Sequence, residues 1–273
     1  MSGHKIVMKS VPFFYTLTFP LQTSLGKVLM TRLIEMTTQG SAAVLVMNAA
    51  ENRHNPEFLA ECNQYLDKIE ADQSIKSVVL TSAGDKNWSL GIDLDWMSLP
   101  TNSAQTIADF MTDLTALLKR IVTFPMPVIA ALNGHAYGNG AVLACACDFR
   151  FMKSDKGFFC FPEVDVLVPF FPSMFPLINK AVPQDFFNRL AMTGQRVGAQ
   201  TLLDNKVVEG IFANDAELQA GALDFAQSFN KNRWIYGQNK TQMNKKILST
   251  MKEEDSEFID NMSKMLQKNL QKI

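Results

Sequence analysis

The stretch "NGHAYGNGAVLACACD", Asn133–Asp148, decides the fold that the sequence predicts. Gly134, Gly138 and Gly140 lie directly after the apolar run "VIAAL", and uncharged small residues follow as far as Asp148. A buried strand, a glycine-rich turn and a helix of small residues form one strand–turn–helix unit. Backbone N–H groups at such a turn commonly hold an anion. The stretch therefore predicts an α/β fold with an anion-binding turn at one edge of its sheet.

The rest of the chain alternates strands and helices in the same way. Asn55 and Pro56 predict the start of an amphipathic helix, and Ser103 predicts the cap of a second one. Gln39-Gly40 lies between two apolar runs and predicts a hairpin. Strands separated by helices make parallel crossovers. The further predicted strands are "SVVLTSAG", "FRFM" and "GFFCFPEV", and residues 215–273 are predicted to be helical throughout.

Composition limits the classes of function. The 273 residues suit one large α/β unit with appendages, and 47% of them are hydrophobic. A net charge of -1 indicates neither nucleic acid nor an anionic membrane surface as a partner. No stretch reaches the roughly 18 to 20 apolar residues of a membrane span. The sequence thus predicts a globular protein without nucleic-acid or membrane partners.

The sequence contains four cysteines. No second ligand pair at zinc spacing accompanies the C-x-C of Cys145 and Cys147, so all four cysteines are predicted to be reduced core residues of an intracellular protein.

Residues 1–30 match a secretory signal poorly. An Arg-poor transit peptide and a start at Met30 remain as alternatives. We therefore divide the chain into an N-terminal extension (1–30), an α/β core (31–214) and a C-terminal helical region (215–273).

The glycine turn of the opening stretch lacks the residues of two common phosphate-binding motifs. It contains no Gly-Lys-Ser/Thr, and its glycines do not have the dinucleotide-binding spacing. A second glycine turn, "NWSLGIDLDW", also follows a buried strand. Parallel strands deliver their following turns to one edge of the sheet. Two converging backbone N–H groups there would form an oxyanion hole, although two plain strand-to-helix turns remain the alternative.

These two turns carry a resemblance to a known family. "NWSLGIDL", "NGHAYGNGAVLACACDFRF" and "FPEVDVLVPFFP", in this order, resemble motifs of the crotonase (enoyl-CoA hydratase/isomerase) superfamily. "VLVMNAAENRHNPEF" and "LAMTGQRVGAQTLLDNKVVEGIF" are similar to two further family segments, so the resemblance covers roughly residues 31–230. It implies a crotonase-like ββα spiral core. It also implies a C-terminal helical region that supports trimer formation or covers the active site.

The resemblance implies a binding mode for an acyl-CoA thioester. The thioester oxygen would lie between two backbone N–H groups, which stabilise the enolate that forms after proton loss from C2. By motif position, the donors would be the N–H groups of Leu90 and Asn139. Asn139 departs from the glycine that is commonest there. If the turn needs a positive φ, asparagine tolerates it better than other non-glycine residues.

The acid–base residues distinguish the reactions of the family. Family hydratases use two glutamates, and this chain has Val142 at one position and Glu163, in "PE", at the other. One carboxylate suffices to move a proton from C2 to C4, so the chain resembles the Δ3,Δ2-enoyl-CoA isomerases most. The flanking sequence "FFCFPEVDVLV" predicts a mostly buried Glu163 with a raised pKa. A surface charge at the end of a strand is the alternative.

The remaining candidate residues have weaker support. Arg53 and His54 would border the CoA phosphates, or else belong to a plain surface loop. Asp165 would share a strand face with Glu163 or cap a turn, and His135 would be a second base or structural. Trp88 and Trp96 are expected to pack, and Asp93 and Asp148 to cap helices or bind backbone in turns. By motif position, the substrate or CoA contacts also include Ser89, Gly91, Asp93 and Gly138.

Together these features predict an enzyme that shifts the double bond of a 3-enoyl-CoA to the 2-position. CoA enters as part of the substrate, and no metal or other cofactor is expected. A homotrimer or a dimer of trimers follows from the resemblance. The cytoplasm is the default location, because the C-terminal "QKI" does not resemble a peroxisomal tripeptide. A non-catalytic acyl-CoA-binding or assembly protein of the same fold is the alternative, as is another crotonase reaction such as acyl-CoA hydrolysis.

Overall fold

The structure is a computed structural model that describes residues 32–270, with side chains described as far as residue 265. The prediction for residues 1–30 lies outside the described residues. The strands are β1 (Ile34–Gln39), β2 (Ala42–Met47), β3 (Arg53–His54), β4 (Ser77–Ser82), β5 (Asn87–Ser89), β6 (Gly91–Ile92), β7 (Val128–Leu132), β8 (His135–Tyr137), β9 (Phe149–Lys153), β10 (Phe159–Cys160) and β11 (Gly210–Phe212). The helices are α1 (Pro56–Ala71), α2 (Leu94–Met97), α3 (Ala104–Thr123), α4 (Asn139–Ala146), α5 (Glu163–Val166), α6 (Met174–Asn179), α7 (Gln184–Thr193), α8 (Ala199–Asp204), α9 (Asp215–Gln227), α10 (Arg233–Met243), α11 (Lys245–Glu253) and α12 (Asp255–Leu270).

A six-stranded sheet forms the centre of the core, in the order β1-β2-β4-β7-β9-β11. Its neighbours pair in parallel except for the antiparallel hairpin β1–β2. Every residue of β4 and β7 is buried, as expected for parallel strands that are covered on both faces. The hairpin at Gln39-Gly40 and the parallel α/β core are therefore confirmed, and Gly40 provides the left-handed turn with φ +59°.

A three-stranded parallel sheet, in the order β10-β8-β5, positions the three motifs of the sequence. Each of its strands ends where a motif turn begins: β5 before Leu90, β8 before Gly138 and β10 before Phe161. Because the strands run in parallel, the three turns emerge at one edge. A short pair, β3–β6, lies alongside through the register Arg53↔Gly91 and His54↔Ile92. The topology thus brings distant sequence segments to a single place.

The predicted helix starts are confirmed by their caps. The Asn55 side chain accepts a hydrogen bond from the amide of Phe58 at 3.0 Å, and Ser103 accepts one from the amide of Thr106 at 3.1 Å. The apolar faces of α1 and α3 are buried in the main core. The helical prediction from Asp215 onward is confirmed as far as residue 270, with short interruptions between helices.

One predicted strand is wrong beyond its first residues. The segment "GFFCFPEV" forms a strand only over Phe159–Cys160, and Glu163 begins the short helix α5. The partner strand β8 ends at Tyr137, and Pro162 has no N–H with which to continue a ladder. The amide of Val166 instead bonds the carbonyl of Pro162 at 3.0 Å and closes a helical turn. Side-chain alternation along a strand therefore does not apply to Glu163.

The described residues also test the predictions about membrane-spanning helices and about the cysteines. Within the described part of the chain, no helix is long and apolar enough to cross a membrane. Cys62, Cys145, Cys147 and Cys160 are all free and buried, so their interpretation as unpaired core residues is confirmed.

Candidate active site

A small pocket of about 90 Å³ opens where the three motif turns meet. Among the predicted site residues, the pocket brings together Leu90, Gly138, Asn139 and Glu163. Arg53, His54, Ser89, Gly91 and Asp93 do not line it. The other lining residues are apolar: Ile92, Leu94, Pro162, Val166 and Val168. The pocket is thus a cleft with a mainly apolar lining and few polar groups.

The first residues of α4 form one wall of this pocket. Gly138 has φ +53° and ψ −126°, a conformation that requires glycine, and Asn139 is the first helical residue. Asn139 does not have a positive φ, so the expectation that it holds a glycine-like conformation is wrong. The first amides of a helix have no partner within it. The N–H of Asn139 is therefore available at the pocket without backbone strain at Asn139 itself.

Gly91 allows the second turn to approach α4 closely. It has φ +79°, and a Cβ added there would lie 2.7 Å from both the Asn139 nitrogen and the Tyr137 oxygen. A real Cβ would not fit without moving backbone. The second glycine turn is therefore packed directly against the start of α4.

The structure contradicts Leu90 as the second oxyanion donor. Its amide already donates to the carbonyl oxygen of Glu51 at 2.9 Å. The positive φ of Gly91 then changes the direction of the chain immediately after Leu90. The motif position alone did not reveal that this N–H is used within the fold.

The amide of Ile92 is the candidate that the geometry offers in its place. The amide of Asp93 donates to the carbonyl of His54 at 2.9 Å, on the β3 side of β6. Successive N–H groups of an extended strand point in opposite directions, so the N–H of Ile92 points away from β3. Ile92 itself lines the pocket. The amides of Ile92 and Asn139 are thus the pair that can converge there.

Glu163 is the titratable residue among those that line the pocket. Its Oε2 is fully buried and has no hydrogen-bond partner among the described residues. Loss of water around the carboxyl raises its pKa to about 8. The predicted burial and raised pKa are confirmed, and the alternative of an ordinary surface charge is wrong. No other titratable side chain lines this pocket among residues 32–265.

A buried chain of hydrogen bonds supports the Asn139 wall from behind. Asn139 Nδ2 lies 2.8 Å from His54 Nδ1, and His54 Nε2 lies 3.0 Å from Ser89 Oγ. Ser89 Oγ in turn donates to the carbonyl oxygen of Asn52 at 2.7 Å. His54 is 1% exposed, and its burial lowers its pKa to about 3. We call Asn139, His54, Ser89 and Asn52 the relay.

The relay has a defined direction. A carbonyl oxygen only accepts, so the hydroxyl proton of Ser89 is committed to Asn52. His54 must then donate from Nε2 to Ser89 Oγ, which leaves Nδ1 as an acceptor for the amide group of Asn139. The neutral Nε2–H tautomer agrees with the lowered pKa. His54 is therefore a buried structural link, and a role on a CoA phosphate is wrong for it.

Arg53 and Asp93 are held by neighbouring groups. Arg53 Nε lies 2.6 Å from Glu51 Oε2, and its Nη1 lies 2.6 Å from Asp95 Oδ2. Two carboxylates thus already pair with its guanidinium. Arg53 also lines a cavity of about 330 Å³ next to the pocket, and its contact with CoA stays a prediction. Asp93 caps α2 by accepting from the amide of Trp96 at 3.0 Å, as the capping interpretation predicts.

The weaker candidates lie outside the pocket. Asp165 follows Glu163 within α5, and its Oδ2 lies against Gly194. His135 accepts a hydrogen bond from the amide of Phe158 at 3.1 Å, which agrees with a structural role. Trp88 is completely buried in the core. Asp148 accepts from the amide of Val128 at 2.8 Å, so the backbone-binding role of this aspartate is confirmed.

Two features of the site were missed by reasoning from the sequence. The donor role of Ile92 depends on the turn at Gly91, and the glycine itself was the available signal. The relay joins residues that are 85 positions apart in the case of His54 and Asn139. No local pattern connects them, so nothing in the sequence alone could have identified the relay.

Known proteins resemble this chain over most of its length. A family model described as "Enoyl-CoA hydratase/isomerase" matches residues 37–272. Enoyl-CoA delta isomerase 3 of Arabidopsis thaliana is 28% identical over 191 residues, covering 67% of this chain and 79% of the relative. Carnitinyl-CoA dehydratase of Escherichia coli is 30% identical over 200 residues, covering 72% and 74%. The relatives thus carry the names of different reactions.

A solved structure extends the comparison to the fold. The chain matches human mitochondrial Δ3-Δ2-enoyl-CoA isomerase with a TM-score of 0.81 at 21% identity. The match covers 88% of this chain and 94% of the human one. At this identity the likeness concerns the fold alone, and it includes the C-terminal helical region.

Proposed function

The chain belongs to the enoyl-CoA hydratase/isomerase family, and from that premise we propose that it shifts the double bond of a 3-enoyl-CoA to the 2-position. The observation that carries the proposal is the single carboxyl group of the pocket. Glu163 has a buried oxygen there without a hydrogen-bond partner among the described residues, and Val142, which is fully buried in the core, provides no second acid. One carboxyl suits proton transfer between two carbons better than the activation of water by two carboxylates.

The proposed reaction uses Glu163 as the carrier of one proton. The carboxylate removes a proton from C2, and the C–H electrons move to form an enolate on the thioester. The protonated Glu163 then returns the proton to C4, while the C3=C4 double bond becomes C2=C3. Atoms and charge balance, and the carboxylate is regenerated. A pKa near 8 suits a group that must both take and give this proton near neutral pH.

The enolate oxygen requires stabilisation that develops with its charge. The amides of Ile92 and Asn139 would donate to it, and both residues line the pocket. Asn139 is also the first residue of α4, where the helix dipole places partial positive charge. These donors are part of the backbone, so they need no reorganisation when the charge forms. This favours stabilisation of the transition state over that of the substrate.

An isomerisation assay with trans-3-hexenoyl-CoA tests the proposal directly. We expect Glu163→Gln to lower kcat by about 100- to 10,000-fold, the usual contribution of a general base. Asp185→Asn is the control, because it removes an exposed carboxylate of α7 that lines neither this pocket nor the adjoining cavity. It should retain nearly full activity.

Two outcomes would overturn the proposal. Full activity in Glu163→Gln would remove the proton carrier from the mechanism. No turnover by the wild type, together with tight binding of CoA thioesters, would favour the non-catalytic acyl-CoA-binding alternative. Thioester hydrolysis is followed in the same samples through release of free CoA thiol.

The assembly and cofactor requirements are part of the same proposal. CoA enters only as part of the substrate. A homotrimer or a dimer of trimers is supported by large apolar side chains that a single chain leaves exposed, among them Leu167 at 78% and Met192 at 76%. Light scattering of the purified protein measures the mass directly, and a monomer would contradict this part of the proposal.

A further inference from the structure

The hydroxyl group of Ser89 lies behind the pocket and uses every hydrogen-bonding position that it has. It donates its proton to the carbonyl oxygen of Asn52 at 2.7 Å. Its oxygen accepts from His54 Nε2 at 3.0 Å and from the amide of Gly91 at 3.2 Å. A hydroxyl group has one proton and two acceptor positions, so none is left over. Ser89 is completely buried and does not line the pocket, so it can act on a ligand only through other residues.

The bond from Gly91 to Ser89 helps to hold one of the two proposed backbone donors, the N–H of Ile92. The amide that precedes Ile92 is that of Gly91, and it is bonded to Ser89 Oγ. The amide that follows Ile92 is that of Asp93, and it donates to the carbonyl oxygen of His54 at 2.9 Å. Both neighbouring amides are thus held by residues of the relay, and the direction of the Ile92 N–H depends on where these residues lie.

The bond from His54 to Ser89 leads to the other proposed donor. His54 Nδ1 lies 2.8 Å from Asn139 Nδ2, and Asn139 is the first residue of α4. The backbone of Ser89 also packs against this turn, since a Cβ added at Gly140 would collide with the Ser89 carbonyl oxygen. Ser89 therefore contacts the start of α4 directly, and it is connected to the side chain of Asn139 through His54.

The spacing of the two donors determines how well they hold one oxygen atom. An oxyanion gains from both donors only if each lies about 2.7 to 3.1 Å from it. A displacement of about 1 Å can lower a rate about 100-fold. Because the charge on the oxygen develops after the substrate has bound, a change in this spacing should act on kcat more than on KM.

We propose that Ser89 is a positioning residue, whose hydroxyl group fixes the distance between the backbone donors at Ile92 and Asn139. The inference rests on the part of the proposed function that assigns these two donors to the thioester oxygen, and not on the acid–base group. Ser89→Ala leaves the amide of Gly91 and the Nε2–H of His54 without their acceptor. The two donor turns then lose the side-chain link between them.

The absorption spectrum of bound 2,4-hexadienoyl-CoA reports on the donor pair and needs no turnover. A conjugated thioester absorbs at longer wavelength when hydrogen bonds polarise its carbonyl oxygen. We expect the wild type to shift the band on binding and Ser89→Ala to shift it less at saturation. Ser89→Cys should be intermediate, because a thiol is a weak donor and a weak acceptor. Ser77→Ala is the matched control and should shift the band as the wild type does, because Ser77 is also completely buried and donates to the carbonyl of Ala226 at 2.8 Å.

The isomerase assay tests the same link through rates. With trans-3-hexenoyl-CoA, we expect Ser89→Ala to lower kcat by about 10- to 100-fold and to change KM by less than about twofold. His54→Phe removes both ring nitrogens but keeps a ring that can stack on Phe58, and it should also lower kcat. The double variant should be little slower than Ser89→Ala alone, because both substitutions break one link.

An unchanged band shift in Ser89→Ala and in His54→Phe would overturn the inference. So would rate losses that multiply in the double variant, and so would a wild type that binds the ligand without shifting its band. If Ser89→Ala does not fold, as judged by urea melts, His54→Phe is read in the same way. A wild type that shifts the band but does not isomerise would contradict the proposed reaction while supporting the donor pair, so the two failures are distinguishable.

Discussion

The two walls of the pocket are built in opposite ways. The donor wall, formed by Gly91, Ile92, Gly138 and Asn139, rests on α4, all eight residues of which are buried. The acid wall, Glu163–Leu167, is a four-residue helix and its C-cap, and Val164 and Leu167 are 46% and 78% exposed. The proposed hydrogen-bond donors are thus fixed by the core, whereas the proposed proton carrier is on a short turn whose outer side chains a single chain leaves uncovered. Changes in the two walls should therefore have different consequences.

The two walls also differ in how burial acts on their titratable groups. Loss of water lowers the pKa of His54 to about 3 and raises that of Glu163 to about 8. Both groups are mainly neutral at pH 7. His54 has partners on both ring nitrogens, whereas Glu163 Oε2 has none among the described residues. The same physical cause thus produces a structural link behind one wall and a reactive group on the other.

The largest loss of stability is expected from a substitution at Gly91, where the donor wall leaves no space for a side chain. A Cβ at Gly91 would lie 2.7 Å from the Asn139 nitrogen, and its φ of +79° is strained for any other residue. We expect Gly91→Ala to lower the free energy of unfolding by about 3 kcal/mol or more. Because it displaces both donors, kcat with trans-3-hexenoyl-CoA should fall at least about 100-fold. Urea melts and the isomerase assay measure the two effects.

Gly84→Ala is the matched control for this change. No atom lies within 4 Å of a Cβ added at Gly84, which also does not have a positive φ. Its stability and activity should stay close to those of the wild type. If Gly91→Ala behaved like Gly84→Ala, the donor wall would not be the rigid side of the pocket.

The acid wall should give the protein opposite pH trends in activity and stability. The folded state keeps the Glu163 proton up to a pKa of about 8, well above the ordinary value of 4.5. The contribution of Glu163 to the free energy of unfolding should therefore fall as the pH rises above 4.5 and through the folded pKa, by about 3 kcal/mol from pH 6 to pH 9. Over the same range kcat/KM should rise and level off above about pH 8, because the base must be deprotonated.

Glu163→Gln isolates this contribution, because glutamine has no proton to lose. Urea melts across the pH range should show a shallower decline for the variant than for the wild type. Equal declines in the two proteins, or a rate profile that levels off near pH 5, would show that the carboxyl is not buried as described.

The donor wall also shows how far the sequence alone could lead. The caps at Asn55 and Ser103 and the three motif turns were predictable, because each depends on residues close together in the chain. The position of Glu163 in the pocket also followed from its motif. A strand was predicted there because four-residue α5 is too short to show a helical period.

What the sequence could not provide was the direction of backbone groups and the contacts between distant residues. Leu90 and Ile92 are two positions apart, and only the turn at Gly91 decides which N–H faces the pocket. "ENRHNP" reads as a polar surface loop, yet His54 is buried against Phe58, with ring centroids 4.7 Å apart. Its partners Ser89 and Asn139 come from other motifs. Such contacts exist only once the parallel strands have brought the turns together.

The smallest expected effect comes from His54 in the relay. Its contribution to the free energy of unfolding changes with pH in the opposite direction to that of Glu163. Below its ordinary pKa of 6.5, His54 takes up a proton in the unfolded chain but stays neutral in the fold down to about 3. The contribution of His54 to the free energy of unfolding should therefore fall as the pH drops, by about 2 kcal/mol from pH 7 to pH 5. Glu163 contributes in the opposite direction over this range, so the His54 contribution is the difference between wild type and His54→Gln. His54→Gln should lose this dependence, as measured by urea melts at both pH values.

His135→Gln is the matched control, because that imidazole is partly exposed and should contribute a smaller change. A difference in stability between wild type and His54→Gln that is the same at pH 7 and at pH 5 would mean that His54 takes up a proton within the fold. A protonated His54 would donate from both ring nitrogens and could no longer accept from Asn139 Nδ2. The Asn139 amide would then be free to turn over. The comparison of wild type with His54→Gln between pH 7 and pH 5 therefore tests whether His54 Nδ1 accepts a hydrogen bond from Asn139 Nδ2.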